Sequence, residues 1–160
     1  MEKTKWFHRE LVLLKMQASK SEEVIAQLGS LLYQNGYVKD TYLPAVLKRE
    51  LEYATGLPTA EVGVAIPHTD VVHVIKPAIA VGISTTPIPF HEMGNPAGDV
   101  IDVRVVFMLA IHDVNKVVDM LRQLIELFQI PGFLSQVVGT KDEDRLIEIL
   151  QDQMDKVNIS

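Results

Sequence analysis

The sequence predicts a single α/β domain, with a mixed β-sheet flanked by helices on both sides. Three observations carry this. Segments with apolar residues at helical spacing alternate with short runs rich in Val, Ile and Ala. Residues 105–111 (VVFMLAI) are apolar throughout, as a strand covered on both faces requires. The 160 residues, 48% hydrophobic and 22% charged, suit one sizeable core, placed at about 8–152 within a domain spanning 1–160.

Residues 10–16 (ELVLLKM) form a first strand or a helical turn, the run being too short for its period to decide. Ser19-x-x-Glu22 reads as a capping box. It opens a helix in which Val24, Ile25, Leu28, Leu31 and Leu32 share a face and which Gly36 ends. A second helix starts at Asp40 or Thr41, with Pro44 in its first turn. Leu43, Val46, Leu47 and Leu51 give it an apolar stripe, and it stops near 54–58 (ATGLP).

Strands follow at 62–66 and 77–84. Residues 87–98 hold three prolines and two glycines and read as loop and turn around a short strand at 88–90. The clearest strand is 101–111 (IDVRVVFMLAI). An amphipathic helix at 114–129 follows, with Val117, Val118, Leu121, Leu124, Ile125 and Phe128 as its apolar positions. A helical turn at 131–138 and a last helix at 142–154 complete the chain, and the terminal KVNIS frays.

Charge and composition narrow the function. The net charge is −6 and no Lys/Arg cluster appears, which argues against nucleic-acid binding. No apolar run approaches the roughly 20 residues of a membrane helix, so direct membrane insertion is not expected. The N-terminal MEKTKWFHRE lacks the apolar stretch of a secretory signal. With no cysteine there is no disulfide and no thiol chemistry in this chain, which fits the cytoplasm.

The stretch VGVAIPHTD at 62–70 raises the chemical question. Pro67 ends strand pairing, so His68 sits at the C-terminal edge of a strand, where ligands of open α/β sheets gather. Gly63 and Ala65 leave little bulk beneath it, and Thr69 and Asp70 after it are polar. His68 is a packing residue, a metal ligand or a nucleophile. Metal binding is the weakest of the three. His68 and His73 lie five apart, His91 and His112 far away, and no HExxH or Cys is present. No GxSxG elbow or phosphate-binding Gly loop exists either. A neutral imidazole can itself attack a phosphoryl group, given a partner for its second nitrogen and donors for the phosphoryl oxygens.

These residues resemble the enzyme IIA proteins of the bacterial phosphoenolpyruvate-dependent sugar phosphotransferase system, in the fructose–mannitol superfamily. The likeness rests on Ala65-Ile66-Pro67-His68, on KREL at 48–51 with TGLP at 55–58, and on the leucine-rich VVDMLRQLIELF at 117–128. It runs from about residue 8 to 152 and implies a mannitol-type enzyme IIA fold. It implies that His68 takes a phosphoryl group from the histidine phosphocarrier protein and passes it to a cysteine of a separate enzyme IIB. It implies the outer ring nitrogen, Nε2, as the site. Arg49 matches the family arginine that clamps the phosphoryl oxygens; the plainer reading is a solvated helix charge. Thr55 and Thr69 are candidate hydroxyl donors. Transient contact with a membrane enzyme IIC complex is compatible with the resemblance, and no metal or organic cofactor is expected.

One position departs from the pattern. Mannitol- and fructose-type members carry a second histidine near the start of the leucine-rich helix, and that position falls near Val117. His112, five residues earlier, either helps from a shifted place or is a surface loop residue. The departure resembles the galactitol-type branch. Loop 86–98 is a candidate docking rim, with Phe90 and Met93 as apolar contacts, or an ordinary loop whose Phe packs inward. The resemblance leaves two functional alternatives: a regulatory, nitrogen-type enzyme IIA that signals by its phosphorylation state, and a non-catalytic binding domain in which His68 only packs.

Overall fold

The computed structural model describes residues 4–95 and 98–157. Five strands form one sheet: β1 (Val12–Met16), β2 (Gly56–Leu57), β3 (Gly63–Ala65), β4 (Ala78–His91) and β5 (Val100–Ala110). Their spatial order is β1-β4-β5-β3-β2. β1 runs parallel to β4 and β3 parallel to β5, while the β4–β5 and β2–β3 pairs are antiparallel. The sheet is therefore mixed, as expected. The helices are α1 (Ser21–Gln34), α2 (Tyr42–Glu52), α3 (Val117–Phe128), α4 (Phe133–Gly139) and α5 (Glu143–Val157).

The period-2 alternation of β5 explains the layers. Val105, Phe107 and Leu109 point to one face and pack with Leu124, Leu127, Phe128, Leu146 and Leu150 of α3 and α5. Val106, Met108 and Ala110 point to the other and pack with Ile25, Leu28 and Leu32 of α1 and Val46 of α2. The all-apolar run thus fills two cores at once.

Several local expectations change. Residues 10–16 are partly both alternatives, a 3-10 turn at Arg9–Leu11 running into β1. The cap of α1 is shifted by one residue. Glu23, not Glu22, reaches back to Ser19, accepting from its N–H at 3.0 Å and its hydroxyl at 2.8 Å. The C-terminus follows expectation. Gly36 has φ +81°, and Tyr37 N–H bonds Leu32 O while Gly36 N–H bonds Tyr33 O, the paired bonds of a Schellman motif. Leu51 is 76% exposed and not part of the buried stripe of α2. Val117 begins α3 only after a 3-10 turn at Val114–Lys116, and Val118 points to solvent.

The largest difference is β4, which joins the strands expected at 77–84 and 88–90 into one and includes Pro87 and His91, read as loop. β1 pairs with β4 only as far as Ser84, so beyond that point β4 has an open edge. Pro87 and Pro89 lie two residues apart on this exposed half, where a missing N–H costs no ladder bond. The register shifts between Ile83 and Ile88, and Arg104 braces that bulge by donating to Ser84 O. Ile88 and Phe90 alternate inward across the proline positions. Lys156 and Val157 still belong to α5, and the frayed end expected at 158–160 lies outside the described residues.

β3 has only three residues and reaches β5 by close backbone approach. A Cβ on Gly63 would lie 2.0 Å from Asp102 O. Gly63→Ala must push the two strands apart, and a destabilisation of about 1–3 kcal/mol is expected in urea unfolding. A midpoint unchanged from wild type would contradict this close approach.

Candidate functional site

The segment after β3 is held to the sheet on both sides. Ile66 N–H donates to Thr55 O at 3.3 Å, and Leu109 N–H donates to Pro67 O at 3.0 Å. The Leu109 carbonyl in turn accepts from the fully buried Tyr42 hydroxyl at 2.6 Å. His68 therefore leaves the sheet edge in a fixed direction, as Pro67 suggested. It opens onto a cleft of about 450 Å³ lined by Arg49, Thr69, Asp70, Val71 and Val72 and by Val114, Val117 and Val118.

His68 is only 8% exposed. Its Nδ1 lies 2.9 Å from Ile66 O. A carbonyl oxygen can only accept, so Nδ1 carries the hydrogen. In the neutral ring this tautomer leaves the Nε2 lone pair free. Burial pushes the His68 pKa below its ordinary 6.5, and the Arg49 charge pushes the same way, against the pull of the Ile66 carbonyl and Asp70. Both charge and tautomer thus favour a nucleophilic Nε2.

Arg49 stands on the last turn of α2. Its guanidinium lies over the Tyr53 ring at 5.1 Å, and its Nε is buried without a hydrogen-bond partner among the described residues. A buried donor left open beside the His68 ring is what an anion would fill. Thr69 lines the same cleft. Thr55 does not: its N–H and hydroxyl both donate to the Glu50 carboxylate, each at 2.8 Å. His112 is exposed, just beyond β5, and is not among the residues lining the cleft. Val117, where the resemblance expects a second histidine, does line it.

The expected rim is corrected. Phe90 is buried in the core between the sheet and α1, so it offers no contact. Met93 is half-buried against the opposite core. Among the described residues, none from 86–98 lines the cleft. Its exposed apolar border is instead Val72, Val114 and Val118, at 63%, 69% and 63% exposure. In sequence these valines look like ordinary core positions. Glu50 also escaped notice. Its partner lies five residues on, across a helix end, and no local pattern announces that pairing.

Residues 5–153 match the family described as Phosphoenolpyruvate-dependent sugar phosphotransferase system, EIIA 2. The chain is 30% identical over 161 residues to the fructose-specific EIIABC component of Bacillus subtilis (strain 168). That alignment covers 98% of this chain but only 24% of the relative's length. It is 30% identical over 128 residues to the galactitol-specific EIIA component of Escherichia coli (strain K12), covering 79% of this chain and 82% of that one. Its fold is similar to that of a chain in the complex of enzyme IIAMTL and phosphorylated enzyme IIBMTL from Escherichia coli. There the TM-score is 0.74 at 22% identity, with 91% and 97% of the two chains covered.

Two titrations follow from the geometry. In a proton–nitrogen NMR titration, His68 is expected as the Nδ1–H tautomer with a midpoint below 6.5; a midpoint above that would contradict the buried neutral ring. Burial raises the Glu50 pKa from 4.5 to about 7, against the Thr55 bonds and Arg49. The folded state then holds the proton more tightly than the unfolded chain, so Glu50 lowers stability as pH rises from 4.5 toward 7. Glu50→Gln should flatten that decline in urea midpoints, whereas an unchanged slope would rule it out.

Proposed function

The chain belongs to the EIIA type 2 family of the phosphoenolpyruvate-dependent sugar phosphotransferase system, and on that premise we propose that it is a cytoplasmic phosphotransfer domain using His68 as its phosphoacceptor. The observation that carries this reading is the pairing of His68 with Arg49. One offers a free Nε2 with Nδ1–H tied to Ile66 O, and the other offers an unpartnered Nε at the same cleft.

The chemistry proceeds without a proton leaving. The Nε2 lone pair attacks phosphorus on the phosphorylated histidine phosphocarrier protein. The new Nε2–P bond forms as the carrier's N–P bond breaks. Arg49 receives the phosphoryl oxygens, and the nearby N-terminus of α3, which borders the cleft through Val117 and Val118, adds its positive end. Nδ1 keeps its hydrogen, so the phosphorylated ring is cationic and the Ile66 carbonyl steadies that charge. A thiolate of an enzyme IIB then attacks phosphorus, the Nε2–P bond breaks, and the ring returns to neutral.

The acceptor is a cysteine of an enzyme IIB, since these 160 residues contain no cysteine of their own. The exposed Val72, Val114 and Val118 are the surface on which carrier and acceptor dock in turn. The transported compound is galactitol or a related sugar alcohol. Two features support this: the galactitol-specific relative aligns over most of its length, and Val117 stands in place of the helix histidine. Thr69 is a secondary contact for the phosphoryl group, whereas Thr55 and His112 are not assigned to it.

The test is direct. Incubation with phosphoenolpyruvate, enzyme I and the carrier should add one acid-labile phosphoryl group to the intact mass, and His68→Gln should take up none. Arg49→Ala should slow the transfer by about 100-fold, and Arg49→Lys by less, since an ammonium cannot bind two oxygens at once. A folded protein that gains no phosphoryl group refutes the reading. Uptake without onward transfer to any enzyme IIB favours the regulatory alternative instead.

A further inference from the structure

Glu50 faces away from the cleft yet is bonded toward it. Its Oε2 accepts from Thr55 N–H and its Oε1 from the Thr55 hydroxyl. Thr55 O accepts from Ile66 N–H at 3.3 Å, and Ile66 O accepts from His68 Nδ1–H at 2.9 Å. A chain of hydrogen bonds thus runs from one carboxylate, through the backbone of Thr55 and then of Ile66, to the His68 ring. The same clamp ties down residues 51–55. That turn carries Tyr53, whose ring lies under the Arg49 guanidinium and whose N–H donates to Arg49 O at 2.6 Å. Both partners of the phosphoryl group therefore depend on the Glu50–Thr55 pair.

We propose that Glu50 is a positioning residue for phosphoryl transfer: through Thr55 it fixes the Ile66 carbonyl that orients His68 and the turn that supports Arg49. The proposal rests on the phosphotransfer reading above. Glu50 touches neither the phosphoryl group nor the reacting nitrogen. Its role is to hold the Nδ1 acceptor in one place. An Ile66 carbonyl free to swing would let the ring rotate and would leave Nε2 misaligned with the incoming phosphorus, and misplacement of that kind lowers the rate more than the affinity.

The full chain carrying Glu50→Ala, Glu50→Gln or Thr55→Val tests this with two readouts. The first is kcat and KM for the phosphorylated carrier. Glu50→Ala should lower kcat by about tenfold while KM stays within about twofold. Thr55→Val, which removes only the hydroxyl bond, should give a smaller loss. Glu50→Gln should restore most of the rate, because its amide can bond both Thr55 groups without a charge. The second readout is the hydrogen-bonded Nδ1–H proton of His68 in the NMR spectrum of unphosphorylated protein. Its resonance should broaden or move in Glu50→Ala and keep its wild-type position in Glu50→Gln.

A folded Glu50→Ala protein with wild-type kcat and an unshifted Nδ1–H resonance overturns the proposal. So does an equal kcat loss in Glu50→Gln, since charge and not the bonded geometry would then matter. Should Glu50→Ala fail to fold, Thr55→Val carries the same two readouts. Should the wild type take up no phosphoryl group, the functional reading falls first, and the hold of Glu50 on His68 is judged by the ring resonance alone.

Discussion

The peptide bond between Pro67 and His68 is tied to the central strand and through it to the helical layer, and the site inherits that constraint. Leu109 N–H holds the Pro67 carbonyl, and the Tyr42 hydroxyl holds the Leu109 carbonyl from the helical layer. β3 has too few residues to orient a side chain alone. It is rigid because β5, covered on both faces, is rigid and because Gly63 allows close contact with it. The helix α2 enters the same arrangement twice, by Tyr42 at its start and Arg49 at its end. His68 and its cationic neighbour Arg49 are thus fixed by one sheet and one helix.

The electrostatics of the cleft are arranged against the resting state. Arg49 leaves a buried Nε unsatisfied, a cost of about 1–3 kcal/mol for a group of this kind. Burial lowers the His68 pKa and so favours the neutral ring, which does not repel the guanidinium beside it. An anion accepting from that Nε would offset this cost, as the proposed phosphoryl group does in the reading above.

The residues that were legible in the sequence act through their neighbours in the chain. Pro67 announced the strand edge and the exit of His68 because a proline's effect is local. Arg49 and Val117 were placed by motif, and both line the cleft. Beyond Ser84 the sequence shows β4 only as a short strand at 88–90, and its continuity with 78–84 is masked because prolines read as punctuation unless one knows that the edge is open. The alternation of Ile88 and Phe90 was the signal that could have found it, and it marked Phe90 as buried. Thr55 was placed near the site but bonded to the wrong group, since nothing in the sequence shows Glu50 folding back over a helix end. The exposed valines were illegible for a different reason. A helix stripe predicts which residues are apolar, not where the neighbouring layer stops covering them.

Pro87 and Pro89 also govern how copies of this chain meet one another. An open strand edge invites a second strand to add to it, and repetition of that step builds aggregates. Here the outer edge of β4 lacks two of the donors an added strand would bond, and the bulge braced by Arg104 bends it away from a straight ladder. The segment is apolar on its inward positions, rich in β-formers and free of charge from Ala78 to Phe90. Without the prolines it would be the stickiest stretch of the protein. With them, a second strand would find two fewer donors to bond along this edge, which disfavours its addition.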